Sequence, residues 1–344
     1  MGRTQVVSVI INNNSNRANY KKKMSQQECY QEFNEKDYED VTPMSIETGL
    51  KDELCRIMYT DEYKQLMGWT RAMLSKNELT PRAIRLTSKL IDLAPAFYTI
   101  WNYRYNIFSH LLQDCPDKES WTAKELDWLD EITLNNPKNY QIWSYRQSLL
   151  TNLVPNPTMK RETPIMNMMI DDDSKNYHVW SYRKWVVKFT GDYSQELGFI
   201  DRLIQKDVYN NSAWSHRMFY LKNIEPDNVV INEEINYVKD KISSVPQNIS
   251  SWNYLRGLYK LFKSNQYDSE IIEFITPFVN NLSIDQNNDQ LPEIQSSYAL
   301  ELLAYIYSLT DQRELSTHYY KCLATKYDPI RSNYWNHKIE LLSQ

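Results

Sequence analysis

An all-α protein built from stacked helical hairpins is what this sequence predicts, and three observations carry that prediction. A glutamate stands eighteen residues before a tryptophan four times: Glu125 and Trp143, Glu162 and Trp180, Glu196 and Trp214, Glu234 and Trp252. The text around the tryptophans recurs too, as Tyr98-Thr-Ile-Trp101-Asn-Tyr-Arg104, Tyr140-Gln-Ile-Trp143-Ser-Tyr-Arg146 and Tyr177-His-Val-Trp180-Ser-Tyr-Arg183. Successive tryptophans lie 34 to 42 residues apart, the period of a two-helix repeat. Only six glycines occur among 344 residues, which suits helices, where glycine is costly.

Taken in order, residues 1–40 are rich in Asn, Gln, Lys and Glu and read as a disordered polar arm, with too little apolar surface to offset ordering entropy. Residues 41–344 read as one repeat array. Its helical periodicity begins with Leu50, Leu54, Ile57 and Met58, and Trp69 marks a degenerate first unit. Within each repeat the first helix carries the glutamate and an apolar stripe, such as Leu126, Leu129 and Ile132, or Ile235, Val238 and Ile242. For the second helix, Asn136 is placed as a cap with Pro137 at the first helical position, and Asp173 as the cap one repeat later. The Glu-to-Trp interval is constant while the interval from one Trp to the next Glu varies from 16 to 24, so the hairpin is the fixed piece. That constancy predicts an ion pair inside each hairpin: Glu125 with Arg146, Glu162 with Arg183, Glu196 with Arg217. The fifth unit departs from the pattern, with Ile249 for the tyrosine and Leu255 for the arginine, and residues 267–344 return to helical patterning.

Composition excludes several functions. With 39 basic and 44 acidic residues the formal charge is −5, against general nucleic-acid or anionic-membrane binding, and the only basic run, Lys21 to Lys23, lies in the polar arm. Four scattered cysteines and five scattered histidines form neither a disulfide framework nor a zinc site, so any metal must come with a partner. No apolar stretch of membrane-spanning length and no signal-peptide core appears, which predicts a cytoplasmic protein without stable membrane insertion. Neither a Gly-rich phosphate loop nor a nucleophile elbow is present. Asp171-Asp172-Asp173 could hold a magnesium diphosphate, but reads more simply as a solvated cluster with Asp173 capping. Lys138 and Lys175 occupy equivalent places at the start of second helices, where free N–H groups suit an anion. An idle, solvated lysine is the competing reading there. The tryptophans are assigned to hairpin packing and the amphipathic tyrosines to a partner surface.

The Tyr-x-x-Trp-x-x-Arg repeat, preceded by Pro137-Lys-Asn or Ser174-Lys-Asn, resembles the protein prenyltransferase α-subunit repeat over about residues 45–342. The segments Glu78-Leu79-Thr80-Pro81-Arg82-Ala83 and Ile330-Arg331-x-x-Tyr334-Trp335 add to the likeness, which is greatest to the branch shared by farnesyltransferase and geranylgeranyltransferase type I. The resemblance implies a right-handed, crescent-shaped superhelix of hairpins around an α–α barrel β subunit. It implies transfer of a farnesyl or geranylgeranyl group from its diphosphate to the cysteine thiol of a C-terminal CaaX box, on substrates such as small GTPases. Zn2+ would be ligated by the β subunit, and Mg2+, needed for the farnesyl activity, would not be bound mainly by this chain. Carried onto this sequence, Lys138 matches the lysine approaching the diphosphate, and Tyr140 and Tyr177 line the site beside it. Gln141 matches a glutamine that bonds the substrate's terminal carboxylate, while Asn176, His178 and Tyr98 match residues facing substrate. The rival readings are the α subunit of the Rab geranylgeranyltransferase and a non-catalytic tetratricopeptide-like scaffold, whose Trp-x-x-Leu-Gly pattern is missing.

Overall fold

The computed structural model describes residues 26–45, 54–55, 57–280, 282 and 291–343, and every regular element among them is helical. The chain divides into two compact units, one up to Val186 and one from Val187 onward. The first contains α1 (Asp61–Ser75), α2 (Pro81–Leu93), α3 (Tyr98–Gln113), α4 (Lys118–Asn135), α5 (Tyr140–Asn152), α6 (Met159–Asp172) and the start of α7 (Tyr177–Thr190). Here α2 packs on α3 and α4 on α5, while α3 and α5, both second helices, lie side by side. The second unit contains α8 (Glu196–Lys206), α9 (Asn211–Ile224), α10 (Asn228–Ser244), α11 (Ile249–Phe262), α12 (Ser269–Ile275), α13 (Ser297–Ser308), α14 (Arg313–Cys322) and α15 (Ser332–Leu342). Its hairpins are α8 with α9, α10 with α11, and α13 with α14.

A four-residue turn joins the two helices of each hairpin. Its last N–H donates to its first carbonyl, from Asn139 to Asn136 (3.2 Å), Asn176 to Asp173 (3.0 Å), Asn210 to Asp207 (3.0 Å) and Asn248 to Val245 (3.1 Å). The closing asparagine then caps the next helix: Asn139, Asn176, Asn210 and Asn248 accept from the N–H groups of Gln141, His178, Ser212 and Ser250. The second helices therefore start at Tyr140 and Tyr177, later than the sequence suggested, and Asn136 and Asp173 terminate α4 and α6 instead of opening the helices that follow. The buried tryptophans secure the turns from within. Indole N–H groups of Trp101, Trp180, Trp214 and Trp252 donate to the carbonyls of Pro95, Ser174, Val208 and Pro246 at 2.7–2.9 Å.

The repeated glutamates are buried, and their arginine partners are not the ones expected. Glu125 receives Arg104 (2.6 and 2.9 Å), Glu162 receives Arg146 (2.5 Å) and Glu234 receives Arg217 (2.6 and 2.7 Å), each arginine coming from the preceding hairpin. Within its own hairpin the glutamate accepts instead from the side chain two places after the tryptophan. These donors are Tyr145 on Glu125 (2.5 Å), Tyr182 on Glu162 (2.7 Å) and Tyr254 on Glu234 (2.6 Å), with His216 meeting Glu196 in the same way. The reason is helical: the arginine is one residue, about 100°, further round than the tyrosine, and so faces the neighbouring hairpin.

Residues 26–40, expected within a disordered arm, are instead packed on the first hairpins; residues 1–25 lie outside the described residues. A helical turn (Gln26–Cys29) and a 3-10 turn (Glu35–Tyr38) bury Cys29 and Tyr38. Tyr30 donates to Glu125 (2.7 Å), Arg85 to Asp37 (2.7 Å) and Arg82 to Asp40 (2.6 Å). The helical face proposed for Leu50, Leu54, Ile57 and Met58 does not form where the chain is described: Leu54, Ile57 and Met58 are exposed, and Leu50 lies outside the described residues. The first long helix starts at Asp61, where the Thr60 hydroxyl caps the N–H of Tyr63 (3.2 Å). Likewise the long interval after Trp101 is taken up by the lengths of α3 and α4, 16 and 18 residues, with a short connection between them.

Candidate functional site

Three second helices of the first unit open on a tyrosine held out to solvent. Tyr98, Tyr140 and Tyr177 are 63 %, 64 % and 66 % exposed, whereas Trp101, Trp143 and Trp180, one helical turn later, are buried. The division of labour between the two aromatic types follows from this: the indoles build the hairpin and the phenols face outward.

Lys138 occupies the third place of the turn before α5, so it precedes the helix instead of standing just inside it. Its side chain is 72 % exposed, and its ammonium lies 3.5 Å from Asp173, in the corresponding turn of the next repeat. The two turns are joined a second time, since Asn176 Nδ2 donates to the Pro137 carbonyl at 3.0 Å. Around this pair the aromatics close up. The His178 ring meets Tyr140 edge-on with centroids 4.2 Å apart, and Tyr177 at 5.8 Å. Burial and, after it, the positive charge of Lys138 hold the His178 pKa below its ordinary value, so the imidazole is neutral at pH 7. Gln141 follows Tyr140, half-buried, and its side-chain amide has no hydrogen bond among the described residues.

Lys138, Tyr140, Gln141, Tyr177 and His178 are thus gathered on the openings of α5 and α7. Asn176 is near them but cannot face a substrate, because it is 2 % exposed and both ends of its amide are committed to the cap of α7 and to Pro137. Its role is to position the turns, as Asn248 does by donating to Val208 (2.7 Å). Tyr98 opens α3 and has its ring contact with Phe97, so it does not join the cluster. Sequence reasoning placed Asp173 as a cap and in a solvated acidic cluster, and missed its pairing with Lys138, one repeat earlier. Among the described residues, no three His, Cys, Asp or Glu side chains are placed to hold a metal ion, and no helix is long and apolar enough to cross a membrane.

An ammonium, two phenols, an imidazole and an amide on adjacent turns can receive an anion and a polar chain end. Comparison with known proteins fits that inventory. The model of the protein prenyltransferase alpha subunit repeat matches residues 80–111, 122–153, 160–190, 193–224 and 231–262. The chain is similar to the protein farnesyltransferase/geranylgeranyltransferase type-1 subunit alpha of Candida albicans, with 43 % identity over 317 residues, 89 % of this chain and 97 % of that one. It is similar in structure to a chain of the Candida albicans protein geranylgeranyltransferase-I complexed with GGPP, with a TM-score of 0.77 and 39 % identity, covering 89 % of this chain and 98 % of the other. The rat geranylgeranyl transferase type-2 subunit alpha is 30 % identical over 223 residues, only 60 % of this chain and 39 % of that protein.

Proposed function

Because the chain belongs to the protein prenyltransferase α-subunit repeat family, we propose that it acts as the α subunit common to farnesyltransferase and geranylgeranyltransferase type I. With a β subunit it transfers a farnesyl or geranylgeranyl group from the diphosphate to the thiol of a CaaX cysteine. The observation that carries this reading is the near end-to-end match to the Candida albicans α subunit, against the partial match to the type-2 subunit. A repeat scaffold without catalytic duty does not account for the exposed cluster at Lys138.

In the reaction a carbon–oxygen bond of the prenyl diphosphate breaks, a carbon–sulfur bond forms and diphosphate leaves. Negative charge grows on the leaving oxygen, and the Lys138 ammonium is the group of this chain that would stabilise it there. Exposed and weakly paired, Lys138 can exchange Asp173 for the diphosphate without breaking a buried contact. Tyr140 and Tyr177 flank it with hydroxyl donors, neutral His178 spaces the two phenols, and Gln141 offers its amide to the terminal carboxylate of the CaaX chain; Tyr98, exposed at the opening of α3 outside this cluster, is a separate substrate-facing position by the resemblance alone. Among the described residues no three His, Cys, Asp or Glu side chains come together as zinc ligands would; by the family resemblance Zn2+ is ligated in the β subunit and Mg2+ is not bound mainly by this chain. The working compartment is the cytoplasm, in keeping with four free cysteines.

Co-purification tests the assignment. The chain should form stable complexes with both the farnesyltransferase and the type-I β subunits, and each complex should prenylate a CaaX peptide. Stable pairing with the type-2 β subunit alone would refute it.

A further inference from the structure

The Lys138 turn is held differently from its counterparts. In four other turns the tryptophan of the same repeat donates its indole N–H to the second carbonyl of the turn, at Pro95, Ser174, Val208 and Pro246. In the Lys138 repeat the equivalent carbonyl, Pro137, accepts from Asn176 of the next repeat, as Val208 also does from Asn248, but here the indole bond is missing: the buried Trp143 Nε1 has no hydrogen-bond partner. The side chain of Lys138 is tied to the same neighbour, through Asp173 at 3.5 Å. Asp173 is itself oriented, because its Oδ1 accepts from the N–H of Lys175 (3.1 Å) while Oδ2 faces the ammonium. Both backbone and side chain at Lys138 therefore take their placement from residues 173–176.

We propose that Asp173 is a positioning residue for prenyl transfer: it holds the Lys138 ammonium at the mouth of the site until the diphosphate displaces it. This rests on the reading of Lys138 given above. A lysine stem has four rotatable bonds, so an exposed ammonium without a counter-ion samples many positions, and confining it beforehand lowers the cost of the transition-state contact. The carboxylate is not needed for the turn itself. Asn136 fills the same place in the preceding turn, so an asparagine at 173 supports that geometry without the charge.

The test is a double-mutant cycle on the α/β complex, with single-turnover transfer to a CaaX peptide and separate titration of the prenyl diphosphate. Asp173→Asn should slow transfer about 3- to 10-fold, the scale of a lost orienting contact, with diphosphate affinity within about twofold of wild type. In a Lys138→Ala background the same substitution should change the rate by less than about 1.5-fold. Equal slowing in both backgrounds, or no slowing in the wild type, overturns the role of Asp173. A Lys138→Ala complex that transfers within twofold of wild type overturns the reading of Lys138 itself.

Discussion

At Glu125 a fully buried carboxylate accepts from Arg104, Tyr145 and Tyr30, which come from three different segments of the chain. Such a group stabilises only as a complete set, since removing one charged member leaves the other buried and unpaired, at a cost of about 3–5 kcal/mol. Arg146→Ala should therefore destabilise the chain by that amount in urea unfolding, whereas Lys138→Ala, on an exposed turn, should stay within about 0.5 kcal/mol. A small effect at Arg146 would mean that the Arg146–Glu162 pair is not closed. The four glutamates were legible in the sequence, but their partners were not: in a stacked array the hairpin before and the hairpin itself both offer donors at similar separation. His178 carries a second prediction. Its NMR titration midpoint should lie below the ordinary histidine value and rise in Lys138→Ala, as one of the two causes of its depression, the smaller, is removed. An unchanged midpoint would separate the two side chains.

Among the elements, the strap at residues 26–41 was the least legible. Its apolar side chains, Cys29, Phe33, Tyr38 and Val41, are isolated in polar text, so average composition reads as disorder, while Cys29, Tyr38 and Val41 are buried and half-buried Phe33 stacks on Tyr38. Burial, with the nearby Glu125, pushes the Cys29 thiol up to about 12, which keeps it protonated and unreactive at pH 8. Exposed Cys55 should accordingly react first with a disulfide reagent. Arg85→Ala, which removes the anchors on Glu28 and Asp37, should speed labelling of Cys29 more than about tenfold by loosening the strap. No acceleration would show that the strap is held without Arg85. Helix type and order, in contrast, were legible from the tryptophan beat, because apolar stripes of helical period have no strand equivalent. Within the repeats the openings were displaced, since a Pro-Lys-Asn turn and a helix starting at proline look alike until the asparagine is seen to cap.

For the whole molecule, the proposed reading divides the chemistry between two chains. This one supplies the ammonium, phenols and imidazole around Lys138, and by the family reading the β subunit brings the zinc and most of the lipid pocket. The pattern alone left Lys138 and Lys175 equivalent; family resemblance preferred Lys138, and the structure adds its neighbours Asp173, Tyr140 and His178. The central claim is that Lys138 stabilises the departing diphosphate. Single-turnover prenyl transfer by the α/β complex tests it most directly. Lys138→Ala should lower the rate about 10- to 1000-fold with much less change in diphosphate affinity, and Lys175→Ala should have a small effect. A larger loss at Lys175 than at Lys138, or equal losses of rate and of diphosphate binding at Lys138, would contradict the account.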